Sequence, residues 1–287
     1  MKNSEIISLK KNFLALRKLG PNYLNNDLKN YFHVEFISVA SKLEGTMLEK
    51  SDVEKLVKNF PKKPASPAKR GEPKSNNPFL IQAYGQKAAL EEIEKFANSK
   101  KIISINLLPY LHQLIFGSTM PSAGRLRDHH VSLQNRNFMV PMPFMITSVL
   151  KEFDSWLKDQ QEKIDPGNVD EIIGFFAEAF YKTVETHPFS DGNGRTARIF
   201  CNAILRKYNL PLVIIPKTSL NSQMSESLLY ANQRDLRPIK TFFSALLFSS
   251  IEMVVAYHNK KNNWKDLLPN PITAASNKGY YPITKAS

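Results

Sequence analysis

Residues 187–198 read HPFSDGNGRTAR and connect two amphipathic helices that the apolar spacing predicts at 169–186 and 196–208. A glycine-rich loop that runs into a helix N-terminus presents several backbone N–H groups to one point, where the helix dipole adds partial positive charge. Arg195 and Arg198, three residues apart, add two cations to one face of this turn. Because cations there oppose the dipole, we expect an anion between them, and phosphate is the best candidate.

Two further side chains of this segment carry chemistry. Asp191 offers the single carboxylate that Mg²⁺ usually takes from a protein beside phosphate oxygens and water. His187 is the one group in the segment that accepts a proton near neutral pH. A lone Gly-Asn-Gly turn or a lone histidine is usually structural, but this combination within one short stretch favours a polyphosphate site. Phe189 and Cys201 are expected to be packing residues.

Helical periodicity dominates the rest of the chain, so the sequence predicts an all-α fold. Besides the two helices above, the pattern predicts helices at 27–44, 51–59, 79–98, 103–116, 145–160, 221–233 and 236–258. Residues 130–133 and 138–140 are expected to form one small β-hairpin. The sequence contains no internal repeat.

The composition excludes some classes of protein but does not show where a functional site lies. The 287 residues are 42% hydrophobic, which excludes wholesale disorder, and carry a formal net charge of +13. Residues 61–75 and 257–287 each contribute +4 of that charge. Cys201 is the one cysteine, so an intrachain disulfide and a four-cysteine zinc site are excluded. With no uncharged apolar run of about 18 residues and no signal-peptide pattern, we expect no membrane partner and a cytoplasmic location, or export without a Sec signal.

The segment 187–198 is similar to the signature HxFx(D/E)GNGRxxR of the Fic (Fido) family of nucleotidyl transferases, and every defined position matches. Residues 111–114, 124–127, 138–141 and 213–238 resemble that family's helix, loop, flap and C-terminal helices, so the resemblance covers about residues 30–250. It implies a Fic-type helical bundle in which the β-hairpin is the flap. The implied domains are an N-terminal helical region at 1–60, a Pro/Lys-rich linker or loop at 61–78, a Fic catalytic core at 79–258 and an irregular basic tail at 259–287.

The resemblance also implies an activity. In this family a histidine takes the proton from a Ser, Thr or Tyr hydroxyl of a target protein, the hydroxyl attacks the α-phosphorus of ATP, pyrophosphate leaves and AMP stays on the target. A Mg²⁺-dependent protein adenylyltransferase that uses ATP and modifies a target protein, or itself, is therefore implied.

The family's roles carry over to this chain position by position. The resemblance implies that His187 is the base, that Asp191 is the Mg²⁺ ligand and that Asn232 contacts adenine. It implies that Arg198 binds the γ-phosphate, that Asn193 orients the α-phosphate, and that the α- and β-phosphates are bound by Gly192, Asn193, Gly194 and Arg195. The implied flap, which holds the target by strand addition, consists of Asn135, Arg136, Asn137, Phe138 and Met139. Met224 and Ser225 stand where the family often has tyrosines, so the preferred base stays open.

Residues 41–45, SKLEG, indicate an autoinhibitory segment. Glu44 ends the helix predicted at about 27–45, where the dipole disfavours an anion unless a cation is close. The stretch resembles the inhibitory motif (S/T)xxxE(G/N) of Fic proteins, whose glutamate pairs with the second motif arginine. The resemblance thus implies that Glu44 pairs with Arg198 and keeps ATP in an unproductive pose. Ala40 stands where the motif has its hydroxyl, so leaky inhibition is expected.

Other functions stay open at this point. Fic-like proteins also move UMP, phosphate or phosphocholine, or remove AMP, and a deAMPylase would use Glu44 to position water. From another class, a basic nucleic-acid-binding protein with a degenerate Fic core fits the net charge. However, the sequence has no aromatic-interleaved basic helix, RRM or zinc motif, which makes nucleic acid an unfavoured partner. The target protein is not named by the sequence, and a homodimer stays open.

Overall fold

The computed structural model describes residues 3–43, 45, 48–61, 75–97, 99–131, 140–216, 223–260 and 264–267. Within these ranges the chain forms ten α-helices and two short 3₁₀ turns, with no β-strand. The predicted all-α class is confirmed. Most of the predicted hairpin lies outside the described residues, as do the flap residues Asn135, Arg136, Asn137, Phe138 and Met139, and Glu44.

The helices follow one another along the chain with short connections. They are α1 Asn3–Lys18, α2 Asn26–Leu43, α3 Lys50–Lys58, α4 Pro78–Glu94, α5 Leu107–Phe116, α6 Ile146–Lys163, α7 Val169–Thr186, α8 Asn193–Lys207, α9 Ser225–Asn232 and α10 Arg237–His258. The 3₁₀ turns are Pro143–Met145 and Trp264–Leu267. The sequence pattern predicted nine of the ten helices and missed α1.

Two helix boundaries differ from the prediction for reasons of packing. α5 begins at Leu107 and not at 103, because side chains of α6 hold the preceding main chain: the N–H of Ile103 donates to Gln161 and that of Ile105 to Asp154, both at 2.8 Å. α8 begins three residues earlier than predicted, directly after the Gly192 turn. Both differences depend on contacts that hydrophobic periodicity does not record.

α7 and α8 form the centre of a compact unit that runs from Lys29 to Leu210. α4 and α5 pack against α8, α6 packs against α7, and α3 packs against α4. The inner face of α7 has Ile172, Phe176 and Phe180, spaced four residues apart and almost fully buried. Asn168 caps the start of α7, since its side chain accepts hydrogen bonds from two first-turn N–H groups. The loop from 187 to 192 is therefore held between two well-packed helices.

A largely buried ion pair joins α8 to α4 in the same unit. Arg206 Nε lies 3.0 Å from Glu94 Oε1, and Arg206 is almost fully buried. Burial alone would raise the pKa of Glu94, but the Arg206 guanidinium and His33 of α2 hold that pKa at about 2. Glu94 is therefore ionised at neutral pH, and the pair fixes the C-terminal half of α8 on α4.

A second compact unit combines Met1–Leu28 with Pro211–Ser287. Here α1 and α9 both pack on α10, and His258 Nε2 donates to the carbonyl oxygen of Tyr23 at 2.7 Å. Asn232 is the last residue of α9. The domain boundaries predicted from the sequence stay predictions.

In the described part of the chain, α10 is the one helix long and apolar enough to cross a membrane. Glu252 interrupts its apolar sequence, so the helix contains no uncharged run of the length sought in the sequence. Within the structure, 67% of its most apolar stretch is buried, which is typical of the core helix of a globular unit.

Candidate active site

The loop between α7 and α8 is closed by one side chain. Asn193, the first residue of α8, accepts a hydrogen bond from the N–H of Phe189 at 2.9 Å and donates one to the carbonyl oxygen of Phe189 at 2.8 Å. Phe189 is buried, as expected for a packing residue. His187 takes the left-handed conformation at φ 45°, which ends α7. His187 therefore begins the loop that this clamp closes, two residues before Phe189.

Gly192 is the residue that lets α8 begin where it does. Its φ is +76°, a left-handed conformation that L side chains rarely adopt. A Cβ at this position would lie 2.4 Å from Cε2 of Phe116 and 3.2 Å from Nε2 of His112. Both the backbone angle and the close approach of α5 therefore require glycine.

We expect Gly192→Ala to lower the free energy of unfolding by about 2–4 kcal/mol, from the strained φ together with overlap on the Phe116 ring. Gly45 is the matched control because its φ is +71° and a Cβ there meets nothing within 4 Å. Gly45→Ala should cost only about 1–2 kcal/mol. Urea unfolding followed by circular dichroism measures both variants, and equal losses would refute the steric argument.

Arg195 and Arg198 are each only 7% exposed, although they lie in the first two turns of α8. Nη1 of Arg195 donates to Oε1 of Gln82 at 2.6 Å, and its guanidinium lies 4.5 Å from the centre of the Phe116 ring. A Cβ added to Gly194 would lie 3.4 Å from Nη1 of Arg198, so that guanidinium reaches back toward the first turn. Two buried cations beside first-turn N–H groups, which have no acceptor within the helix, form a strongly positive site suited to a polyphosphate.

Asp191 lies at the exposed edge of this site. Its side chain is 70% exposed, Oδ1 accepts the N–H of Gly192 at 2.6 Å, and Oδ2 is 3.8 Å from Nη2 of Arg195. The described residues contain no group of three or more His, Cys, Asp or Glu side chains that could hold a metal ion. A Mg²⁺ ion that takes one carboxylate and completes its shell with phosphate oxygens and water needs no such group. The arrangement therefore fits the predicted Mg²⁺ ligand.

His112 of α5 holds the loop through a hydrogen bond to the main chain of Asp191. Its Nδ1 accepts the N–H of Gly124 at 2.8 Å, so Nε2 carries the proton and donates to the carbonyl oxygen of Asp191 at 3.0 Å. The ring stacks on Phe189, with 3.9 Å between ring centres. Burial lowers the pKa of His112, and the opposing effect of the Asp191 carbonyl is smaller. His112 is therefore a neutral support of the loop and not a second base.

Sequence reasoning did not assign a role to three residues that contact the motif. His112 holds Asp191, Gln82 holds Arg195, and Arg127 donates to the carbonyl oxygen of His187 at 2.8 Å. His112 and Arg127 lie in the stretches 111–114 and 124–127, whose resemblance to the family was a usable signal. Gln82 lies in α4, outside those stretches.

The structure brings together the motif residues His187 to Arg198 in one loop and the first two turns of α8. Glu44 and the five flap residues lie outside the described residues. Asn232 belongs to the unit formed by the chain's two ends and not to the unit that holds the motif. The roles implied for these residues stay predictions.

Comparison with known families identifies this region. Residues 102–205 match the model of the Fic/DOC family. The chain carries a Fic domain. The match includes α5, α6, α7, most of α8 and the whole loop of the site, so the Fic domain predicted from the motif is confirmed over these residues.

The Fic domain has curated relatives in animals. Protein adenylyltransferase Fic of Drosophila mojavensis is 32% identical over 164 residues, which is 57% of this chain and 31% of that protein. Protein adenylyltransferase fic-1 of Caenorhabditis elegans is 34% identical over 178 residues, 61% of this chain and 33% of that protein. The chain thus spans about a third of the length of these curated relatives.

A solved structure supports the fold of the Fic domain. The Fic domain-containing signaling protein from Bacteroides thetaiotaomicron matches with a TM-score of 0.72 at 19% identity, over 88% of this chain and 98% of that chain. At this identity the likeness concerns the fold. The predicted Fic-type helical bundle is confirmed.

Proposed function

We propose that this protein transfers AMP from ATP to a Ser, Thr or Tyr hydroxyl of a target protein, its own hydroxyls included. One observation carries the proposal: the Asn193 clamp on Phe189 closes the short loop that joins His187, the candidate base, to the positive N-terminus of α8. A base and a phosphate site held by one rigid loop are what transfer at phosphorus requires. The relatives from fly and nematode, both named protein adenylyltransferases, support the same reaction.

His187 acts as the general base in this proposal. Its imidazole takes the proton of the target hydroxyl while the hydroxyl oxygen forms a bond to the α-phosphorus of ATP. The bond from the α-phosphorus to the oxygen that bridges to the β-phosphate breaks, and pyrophosphate leaves with that oxygen. The reaction depends on positioning and on neutralisation of charge, which the loop N–H groups, Arg195 and Arg198 supply.

Asp191 is the residue that we propose holds Mg²⁺. Its carboxylate is exposed beside the loop, and one hydrogen bond to Gly192 orients it. When bound, the ion neutralises phosphate charge.

We further propose that Glu44 restrains this activity by pairing with Arg198. Leu43 ends α2, so Glu44 follows the helix directly, at the end where the dipole favours a cation as neighbour. Arg198 is a buried cation of the phosphate site. A carboxylate on Arg198 takes the charge that the γ-phosphate needs, so ATP binds in an unproductive pose.

We expect Glu44→Gly to raise AMP incorporation by about 10-fold or more, because a hydrogen bond between charged groups is worth about 1.5–3 kcal/mol. The measurement is incorporation of ATP labelled at the α-phosphate. Glu49→Gly is the matched control, since Glu49 is an exposed glutamate five residues further along that makes no side-chain cap for α3. Equal incorporation by wild type and Glu44→Gly would refute the proposed autoinhibition by Glu44.

The position of the label tests the transferred group. With ATP labelled at the α-phosphate, protein should become labelled, and with ATP labelled at the γ-phosphate it should not. Label from the γ-phosphate alone would indicate phosphate transfer. Release of AMP from a previously modified protein, without incorporation, would indicate the reverse reaction.

A further inference from the structure

Arg127 lies between α5 and the 3₁₀ turn and is almost fully buried. Every side-chain hydrogen bond that it makes goes to a main-chain carbonyl oxygen among the described residues. Nε donates to His187 at 2.8 Å, Nη1 to His129 at 3.0 Å and Nη2 to Pro141 at 2.6 Å. Its backbone N–H donates to the carbonyl oxygen of Pro188 at 2.9 Å. Arg127 thus makes two hydrogen bonds to the loop of the site, one from its side chain to His187 and one from its main chain to Pro188.

The burial of this side chain is unusual for its charge. Within the described ranges Arg127 forms no ion pair with a carboxylate, and burial lowers its pKa. A guanidinium stays charged under these conditions, and a buried charge is stable only when its donors are satisfied. Three charge-assisted bonds in a rigid planar fork fix the relative position of the three carbonyl groups. Lysine could not reproduce that geometry.

The carbonyl groups that Arg127 joins belong to two different parts of the site. His187 carries the proposed base, whereas His129 and Pro141 lie on either side of residues 132–139. Leu126 directly precedes Arg127, and Met142 directly follows Pro141, whose carbonyl group Arg127 holds. Exposed apolar side chains occur at and just after these positions: Leu126, Met142, Phe144 and Met145 are 37%, 46%, 81% and 43% exposed. Exposed apolar side chains beside residues that are hydrogen-bonded to a catalytic loop are typical of a contact surface for a protein partner.

We propose that Arg127 is a positioning residue that holds His187 in register with this apolar surface, so that a hydroxyl of a target protein bound there meets the base. The inference rests on the proposed AMP transfer and extends it to the target side of the site. Among the described residues, the hydrogen bonds of Arg127 go to His187, Pro188, His129 and Pro141, and none goes to the phosphate cradle or to Asp191. Its loss should therefore slow transfer to protein and leave nucleotide binding in place.

The test compares Arg127→Gln and Arg127→Lys with Arg125→Gln and Arg125→Lys, since Arg125 is an exposed arginine two residues away. The rate of AMP incorporation into lysate proteins is measured against ATP concentration, and ATP affinity and the urea midpoint are measured separately. At saturating ATP we expect both Arg127 variants to be slower by about 10- to 100-fold, because small misplacements of a catalytic group cost rates of this order. The ATP concentration at half-maximal rate should stay unchanged, and lysine should not rescue.

Three results would overturn the inference. If Arg127→Lys works at the wild-type rate, the planar fork is not needed. If ATP affinity and the urea midpoint fall in parallel with the rate in both variants, Arg127 serves only the stability of the fold. If the Glu44→Gly protein, which lacks the proposed inhibitory carboxylate, also incorporates no AMP while it binds ATP, the proposed function fails and the inference fails with it. That result is distinct from an active parent protein beside equally active Arg127 variants.

Discussion

The His187→Ala variant should lose AMP incorporation by about 10²–10⁴-fold, the range that a general base contributes to a reaction. ATP binding should persist, because the phosphate site is formed by the N-terminus of α8 with Arg195 and Arg198 and not by the imidazole. The Asn193 clamp on Phe189 does not involve the side chain of His187, so the loop should keep its shape. Rates of incorporation from α-labelled ATP, beside ATP affinity, separate the two effects.

The control for this prediction is His258→Gln, which removes an imidazole from the other compact unit. Glutamine can keep the hydrogen bond that Nε2 of His258 donates to Tyr23. This variant should incorporate AMP at the wild-type rate. A His187→Ala protein that retains more than about a tenth of wild-type incorporation would contradict the role of His187 as base.

Arg206→Met should lower the free energy of unfolding by about 3–5 kcal/mol, because it leaves the largely buried carboxylate of Glu94 without its guanidinium partner. Replacing both groups, as Arg206→Met with Glu94→Leu, should recover much of this loss, since an apolar pair needs no counter-ion. Urea unfolding followed by the fluorescence of Trp156 in α6, in a Trp264→Phe background, reports on the unit that holds the site. An equal free energy of unfolding for wild type and Arg206→Met would show that the ion pair between Arg206 and Glu94 does not stabilise the fold.

The same ion pair predicts how stability depends on pH. The pKa of Glu94 lies at about 2 in the folded protein, below its ordinary value of 4.5. The contribution of Glu94 to stability is therefore fully present above about pH 4.5 and is lost as the pH falls through about 2, an effect of about 3 kcal/mol. In Glu94→Gln the free energy of unfolding should depend less steeply on pH between 5 and 2. Identical slopes in the two proteins would refute the shift.

The order of helices and the chemistry of the motif could be predicted from the sequence because both are local. Apolar spacing of four residues placed α7 at 169–186, and the structure has the same bounds. The start of α8 was predicted three residues late, because it depends on the positive φ of Gly192 and on the Asn193 clamp. These are features of the turn, and hydrophobic periodicity begins only after it.

The supports of the site could not be predicted in the same way because their contacts are distant along the chain. His112 and Asp191 are 79 residues apart, Gln82 and Arg195 are 113 apart. A histidine in an apolar helix looks like a core residue, and a glutamine in a helix looks like a solvated one. Only the packing of α4 and α5 on α8 brings these side chains to the loop.

The large positive net charge of the chain did not indicate which residues form the site. The two arginines that matter are almost fully buried in α8, whereas much of the net charge belongs to residues 61–75 and 257–287. A charge count cannot distinguish a cation held in a phosphate site from a solvated one. The spacing of glycines and arginines at a helix N-terminus can.

Tandem mass spectrometry of a lysate incubated with ATP, Mg²⁺ and the Glu44→Gly variant tests the proposed reaction most directly. We predict AMP adducts on Ser, Thr or Tyr side chains of lysate proteins or of the variant itself. The adducts should be absent when Glu44→Gly is combined with His187→Ala. No adduct with Glu44→Gly, or adducts that persist without His187, would contradict AMP transfer by this site.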